Sequence, residues 1–180
     1  MQLQTERLEL RLPVADDIAA MHAIVSHEQT SRFLGRASDP ALHFERMARN
    51  AGSWLLYGYG SFMVRLRGRE ELIGNCGIFH SWRGVGDDFD DNPEAGWILG
   101  HEYGGMGYAG EAMRAVFEWF EQTHGPHRVV CMIAPENRPS LRLAEKLGFT
   151  PMREGALPDG EAVILLDRAA GSANRPPEQV

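Results

Sequence analysis

The chain of 180 residues has two cysteines, no apolar run of 18 residues, no excess of basic charge and no internal repeat. Two cysteines, Cys76 and Cys131, cannot frame a disulfide-stapled fold; each sits in an apolar segment that reads as a strand, so buried reduced thiols are expected. With no long apolar run and no cleavable leader, the sequence predicts neither a membrane span nor export, and a cytoplasmic address. A net charge of -7 argues against a nucleic-acid partner, which normally needs a basic face. It leaves room for a cationic partner. Asp87, Asp88, Asp90 and Asp91 concentrate acid in one stretch, which reads first as a solvated loop. The histidines show no metal-ligand spacing, because Gly125-Pro126 breaks the helix that His124 and His127 would need, and no metal is expected.

What is present reads as one domain over residues 1–168, with a small polar tail, 169–180, expected to be disordered. Leu8, Leu10 and Leu12 alternate with Arg7, Glu9 and Arg11, the period of a half-buried strand stopped by Pro13. Asp16 and Asp17 stand at the start of a helix carrying Met21 and Val25, and Asp39-Pro40 opens a second, short one. "SFMVRL" and "ELIGNCGIF" form an antiparallel hairpin across a Gly-containing turn, and "EAGWIL" follows a Gly- and Asp-rich loop. Ala112, Met113, Val116, Phe117 and Phe120 mark an amphipathic helix ended by His124-Gly125-Pro126. "RVVCMI" is apolar on both sides, as a central strand should be; a helix from Pro139 ends at Gly148, and "AVILL" closes the domain. This order predicts an α+β fold, a central mixed and mostly antiparallel sheet with helices on both faces and one crossover in the second half.

Residues 105–110 spell G-x-G-x-x-G, the dinucleotide fingerprint. That motif belongs directly after a strand, with an acid about 20 residues on. Here Gly100 to Gly104 intervene and "RVVCMIAP" ends without an acid, so a nicotinamide site is not expected. Four glycines in seven positions running into a helix still present free amides at the positive end of a dipole, and a phosphate or pyrophosphate is the expected ligand.

"PEAGWILGHEYGGMGYAGEA" and "PENRPSLRLAEKLGF", in that order and at this separation, resemble the GCN5-related N-acetyltransferase (GNAT) superfamily. "TERLELRLPVADD" and "ELIGNCGIF" are similar to the group containing the ribosomal-protein N-terminal alanine acetyltransferases. The resemblance covers roughly residues 5–166. It implies acetyl-CoA as donor, with the backbone of Ile98, Leu99 and Gly100 pairing with pantetheine. Amides of Gly105, Met106, Gly107, Tyr108 and Ala109 would meet the pyrophosphate, with Asn137 and Ser140 along the pantetheine arm. Two positions depart from the family: Gly104 replaces a larger side chain, and Ala144 stands where many members carry a tyrosine acid.

Acetyl transfer to an amine needs a proton acceptor for the amine, a place for the oxyanion, and a proton for sulfur. Glu94, at the start of a strand beside the donor site, is the leading base or ammonium anchor, with His80 and Asp91 behind it. Ser140 is the leading acid, and the alternative is that it only caps its helix. Trp54, Tyr59, His80 and Trp82 flank the meander where the family places its acceptor pocket. The implied activity is transfer to a primary amine, a protein N-terminus or a small molecule, by direct attack in a ternary complex. The alternative is a non-catalytic acyl-CoA-binding or sensing module. A monomer or homodimer is expected.

Overall fold

The structure, a computed structural model, describes residues 1–35 and 39–171. The tail expected from residue 169 falls mostly at 172–180, outside the described residues. The strands are β1 (Gln2–Gln4), β2 (Leu8–Arg11), β3 (Ser61–Leu66), β4 (Leu72–His80), β5 (Pro93–Leu99), β6 (Val129–Ile133), β7 (Thr150–Ala156) and β8 (Ala162–Arg168). The helices are α1 (Asp17–Ser26), α2 (Glu28–Ser31), α3 (Pro40–Tyr57), α4 (Tyr108–His124) and α5 (Arg138–Lys146), with a 3-10 turn at His101–Tyr103. The strands form one sheet in the order β1-β2-β3-β4-β5-β6-β8-β7. Every neighbouring pair is antiparallel except β5 and β6. The mixed, mostly antiparallel sheet expected from the sequence is therefore present.

Alternation along the strands sends side chains to two faces. On one, Leu8, Leu10, Phe62, Val64, Cys76 and Ile78 pack with Met113, Val116, Phe117 and Phe120 of α4. On the other, Met63 and Leu72 meet Met21 and Val25 of α1 and Met47 of α3. Phe89 reaches from the β4–β5 loop onto Val130, Val163 and Leu165, so this loop covers the second half of the sheet on the face away from α4. Each fully buried Phe or Leu of these clusters contributes roughly 1.5–3 kcal/mol.

The parallel pair registers at one place, Glu94 against Val130. Beyond it β5 and β6 diverge, and the β6-facing edge of β5 is left without a strand partner up to Leu99. On its other side β5 stays paired with β4 to Gly74, where the strands close so tightly that a Cβ would lie 2.0 Å from Ile98 O.

The second helix is not short. α3 runs 18 residues because Asp39 accepts from the Ala41 and Leu42 amides at its start and the first left-handed stop is Gly58, φ 76. Asn50 and Ser53 interrupt its apolar pattern, yet they are buried on the sheet side. Asn50 exchanges two hydrogen bonds with the Ser61 backbone, and Ser53 Oγ donates to Tyr59 O. β7 pairs with β8 alone and is mostly exposed, an edge position that tolerates Pro151 and shows no apolar run.

Candidate active site

The glycine stretch forms a cradle of amides. Gly105 and Gly107 take φ of 75 and 82, and Gly107 caps α4 with no side-chain bond. Glu111 N makes the first bond of the helix, to Gly107 O, and the amides of residues 105–110 donate to no acceptor among the described residues. They point out of the start of a 17-residue helix, where the peptide dipoles add positive potential. The loop is fastened from β2's entry. Arg7 donates to Met106 O and Glu111 Oε2, Thr5 Oγ1 donates to Glu111 Oε1, and the Arg7 guanidinium lies 4.5 Å from the Tyr108 ring.

The cradle adjoins the unpaired edge of β5 carrying Ile98 and Leu99. Across the divergence, Asn137 caps α5, its Oδ1 accepting from Ser140 N at 3.2 Å. Ser140 Oγ accepts from Trp97 Nε1 at 3.2 Å, and among the described residues it gives its own proton to no acceptor. Ser140 thus lies within the cap without being the capping side chain. Ala144 is fully buried in the core.

On the opposite side, Glu94 is 3% exposed and both its oxygens are engaged. Arg83 grips it with two bonds of 2.8 Å, Nε to Oε2 and Nη2 to Oε1, and Ser81 Oγ donates to Oε2. Burial works against the Arg83 charge, but Glu94 and Asp90 outweigh it and hold the guanidinium above the ordinary arginine range. Asp90 gathers the loop by accepting from the Arg83, Gly84, Val85 and Gly86 amides, and Asp88 pairs with Arg153 at 2.7 Å. Much of the acidic stretch is therefore spent on folding its own loop rather than left free for a cation.

His80, at the end of β4, stacks on Tyr57 with ring centroids 3.9 Å apart. Its Nδ1 faces the Tyr59 hydroxyl at 3.4 Å. Its buried Nε2 lies 3.2 Å from Asp91 Oδ1 but makes no hydrogen bond. Asp91 has φ 62, the one positive value outside glycine among the described residues. Burial, with Tyr57 and Asp91, pushes the Tyr59 phenol up to about 12, so it stays neutral. Tyr59 and His80 thus stand together. Trp54 instead turns inward, donating to Ser61 O and meeting Phe62 edge-on at 4.8 Å, while Trp82 is exposed.

Residues 7–150 match the acetyltransferase (GNAT) domain family. The chain belongs to the GNAT acetyltransferases. A solved structure described as a GnaT-family acetyltransferase, from Bordetella pertussis, is 33% identical with a TM-score of 0.83, covering 94% of this chain and 99% of that one. The uncharacterized N-acetyltransferase YnaD of Bacillus subtilis is 35% identical over 94 residues, 52% of this chain and about half, 51%, of that protein. The ribosomal-protein-S5-alanine acetyltransferase of Vibrio fischeri shares the fold, with a TM-score of 0.72 at 17% identity, covering 97% of this chain and 100% of that one. The protein is an acetyltransferase enzyme.

Several residues that build this GNAT site escape sequence reading. Arg83 and Ser81 lie in a loop whose composition signals only turns, and Trp97 occupies an ordinary strand position. Arg7 reads as the polar side of an alternating strand. The signal within reach was the loop's unused arginine beside a strand-start glutamate buried by its neighbours. Among the described residues, no helix is long and apolar enough to cross a membrane, and no three His, Cys, Asp or Glu side chains gather as metal ligands.

Proposed function

We propose that the enzyme moves acetyl from acetyl-CoA to a primary amine by direct attack within a ternary complex. The observation that carries this reading is the row of unsatisfied amides at 105–110 beside the open edge of β5. Pyrophosphate suits the first and the amide-bearing pantetheine arm suits the second. In this reading Ile98, Leu99 and Gly100 pair with the arm; Gly105, Met106, Gly107, Tyr108 and Ala109 hold the phosphates; and Asn137 and Ser140 flank the thioester.

Acetyl-CoA supplies a carbonyl that an uncharged amine attacks: the C–N bond forms, the C–S bond breaks, nitrogen loses one proton and sulfur gains one. Ser140 is the proposed donor to sulfur, its oxygen held by Trp97 and its proton uncommitted. Glu94 is the proposed carboxylate on the amine side. The Arg83 grip, which engages both oxygens and balances their charge, favours a positioning carboxylate that holds Ser81 on the amine side over a base that must shed its partner. His80 Nε2, buried without a hydrogen bond, is the group to test beside it as proton acceptor. Tyr59 and His80 supply one wall of the acceptor site; Trp82 stands exposed two residues beyond His80, and Trp54 packs into the core on Phe62.

Thermal unfolding with CoA, acetyl-CoA and NAD tests the donor site. A ligand at about 1,000 times its dissociation constant adds about 4 kcal/mol, so CoA and acetyl-CoA raise the midpoint and NAD does not. Glu94→Gln, His80→Gln and Ser140→Ala each keep that shift and lose turnover. Full turnover in any one of them removes that residue's role.

A further inference from the structure

The protein carries net charge -7, yet three arginines converge on the face of the site away from α4. Residues 46, 49, 53 and 57 of α3 lie on one stripe. Ser53 Oγ accepts from His80 N at 2.9 Å and Tyr57 stacks on the His80 ring, which fixes where the stripe runs. Arg49 lies one turn before Ser53 and Arg46 one turn further, so the stripe continues from His80 along Ser81 toward Arg83. Arg46 is steadied by its two terminal nitrogens on Leu34 O, each at 3.3 Å. The β7–β8 connection forms the facing rim, with Glu161 so close to Gly35 that a Cβ there would meet its Oε1 at 2.7 Å.

Both α3 arginines are open to solvent, and neither forms an ion pair with a described residue. Protein nevertheless surrounds them closely enough that burial comes first among the causes lowering both guanidinium pKa values. The Arg83 charge lowers both further and Arg49 also lowers Arg46, against smaller help from Glu161 at Arg46 and from Glu94 and Glu45 at Arg49. Arg83 is committed to Glu94 and Arg46 to Leu34 O, while the fork-shaped donors of Arg49 have no acceptor among the described residues, a group matched to a carboxylate, with the Arg46 charge behind it.

We propose that the acceptor is a small amine carrying a carboxylate a few bonds from its nitrogen, an amino-acid-like zwitterion whose carboxylate is taken by Arg49 with Arg46 behind it. Its nitrogen then turns to the Glu94 and His80 end. This specificity rests on the acetyl-transfer reading and deepens it.

The test pairs free amino acids and dipeptides with their C-terminal amides, with spermidine as a cationic control, on wild type, Arg49→Gln, Arg49→Lys and Arg46→Gln. The acids are preferred by roughly 10- to 100-fold in kcat/KM, the range of a charge-assisted bond, mainly through KM. Arg49→Gln brings the acid-to-amide ratio toward one and Arg49→Lys restores part of it. Amides or spermidine turned over as well as the acids overturn the proposal, as does an unchanged ratio in both glutamine variants. If no amine is acetylated although acetyl-CoA binds, the acetyl-transfer reading falls instead. The specificity is then decided by calorimetry of N-acetyl amino acids and their amides on CoA-loaded protein. Acid-selective binding lost in Arg49→Gln supports it, and no selectivity overturns it.

Discussion

Removing Arg83 while leaving Glu94 in place is the sharpest perturbation the site offers. The Glu94 side chain is 4% exposed and that of Arg83 21%, so the carboxylate is the member that cannot reach water. Arg83→Met keeps the bulk of the stem and deletes both 2.8 Å bonds, leaving the hydroxyl of Ser81 as the sole side-chain donor to a buried charge. Breaking a buried pair from one side costs about 3–5 kcal/mol; the partly open arginine admits some water, so about 3 is expected. For a chain of this length that is a fall in Tm of roughly 6–12 °C. Glu94→Gln costs less, because the freed guanidinium can turn to solvent and Asp90. The double variant, with no charge left to strand, is more stable than the sum of the two losses predicts. Urea unfolding of the four proteins reads all three values. A change below about 0.5 kcal/mol in Arg83→Met, or strict additivity in the double variant, would refute the view that this pair is a mutually dependent buried unit.

Gly74→Ala drives a methyl into the Ile98 carbonyl, and a loss of roughly 1–3 kcal/mol is expected from urea midpoints, with weaker acetyl-CoA binding because β5 is displaced. Asp17, although burial acts against its charge, is held below the usual aspartate range by Arg11 and the Val14 amide. Its folded value lies under its unfolded one, so it stabilises above about pH 4 and this contribution is lost as pH falls through the folded value. Asp17→Asn should therefore lower stability at pH 7 by about 2 kcal/mol and flatten the acid limb of the stability profile, and a parallel limb would contradict this. Burial pushes the Cys76 thiol up to about 12 and Cys131 well above its ordinary value, so neither should react with a disulfide reagent until the protein unfolds, as a thiol titration in buffer and in urea will show. Arg7→Ala, by releasing Met106 and Glu111, should raise KM for acetyl-CoA while leaving kcat nearly unchanged.

The sequence speaks clearly where one period governs a segment. α4 carries its apolar positions at helical spacing, and the strands from β3 to β6 are apolar runs between turn residues. It speaks poorly where polar residues do structural work. Asn50 and Ser53 look like the end of an amphipathic pattern but are buried substitutes for a strand's partner. The aspartates at 88 and 90 look like a solvated patch but fold the loop that delivers Arg83. The glycine cradle was legible because unsatisfied amides follow from local geometry. Glu94 was legible as a position, but its partner depends on a loop closing back over the sheet, which no local pattern encodes.

The single rung between β5 and β6 gives this sheet an interior edge. Edge strands at a protein's rim are liabilities, because any exposed strand from another chain can add to them. Here the edge sits in a seam with α4 beneath it and the Trp97 to Ser140 bond spanning it. A second polypeptide strand could join that edge only by displacing the hydrogen bond that spans it. The ligand proposed for it, the pantetheine arm, brings amides without side chains. The fold keeps a length of sticky backbone in reserve and shields it from other chains by placing it inside the sheet rather than at its rim.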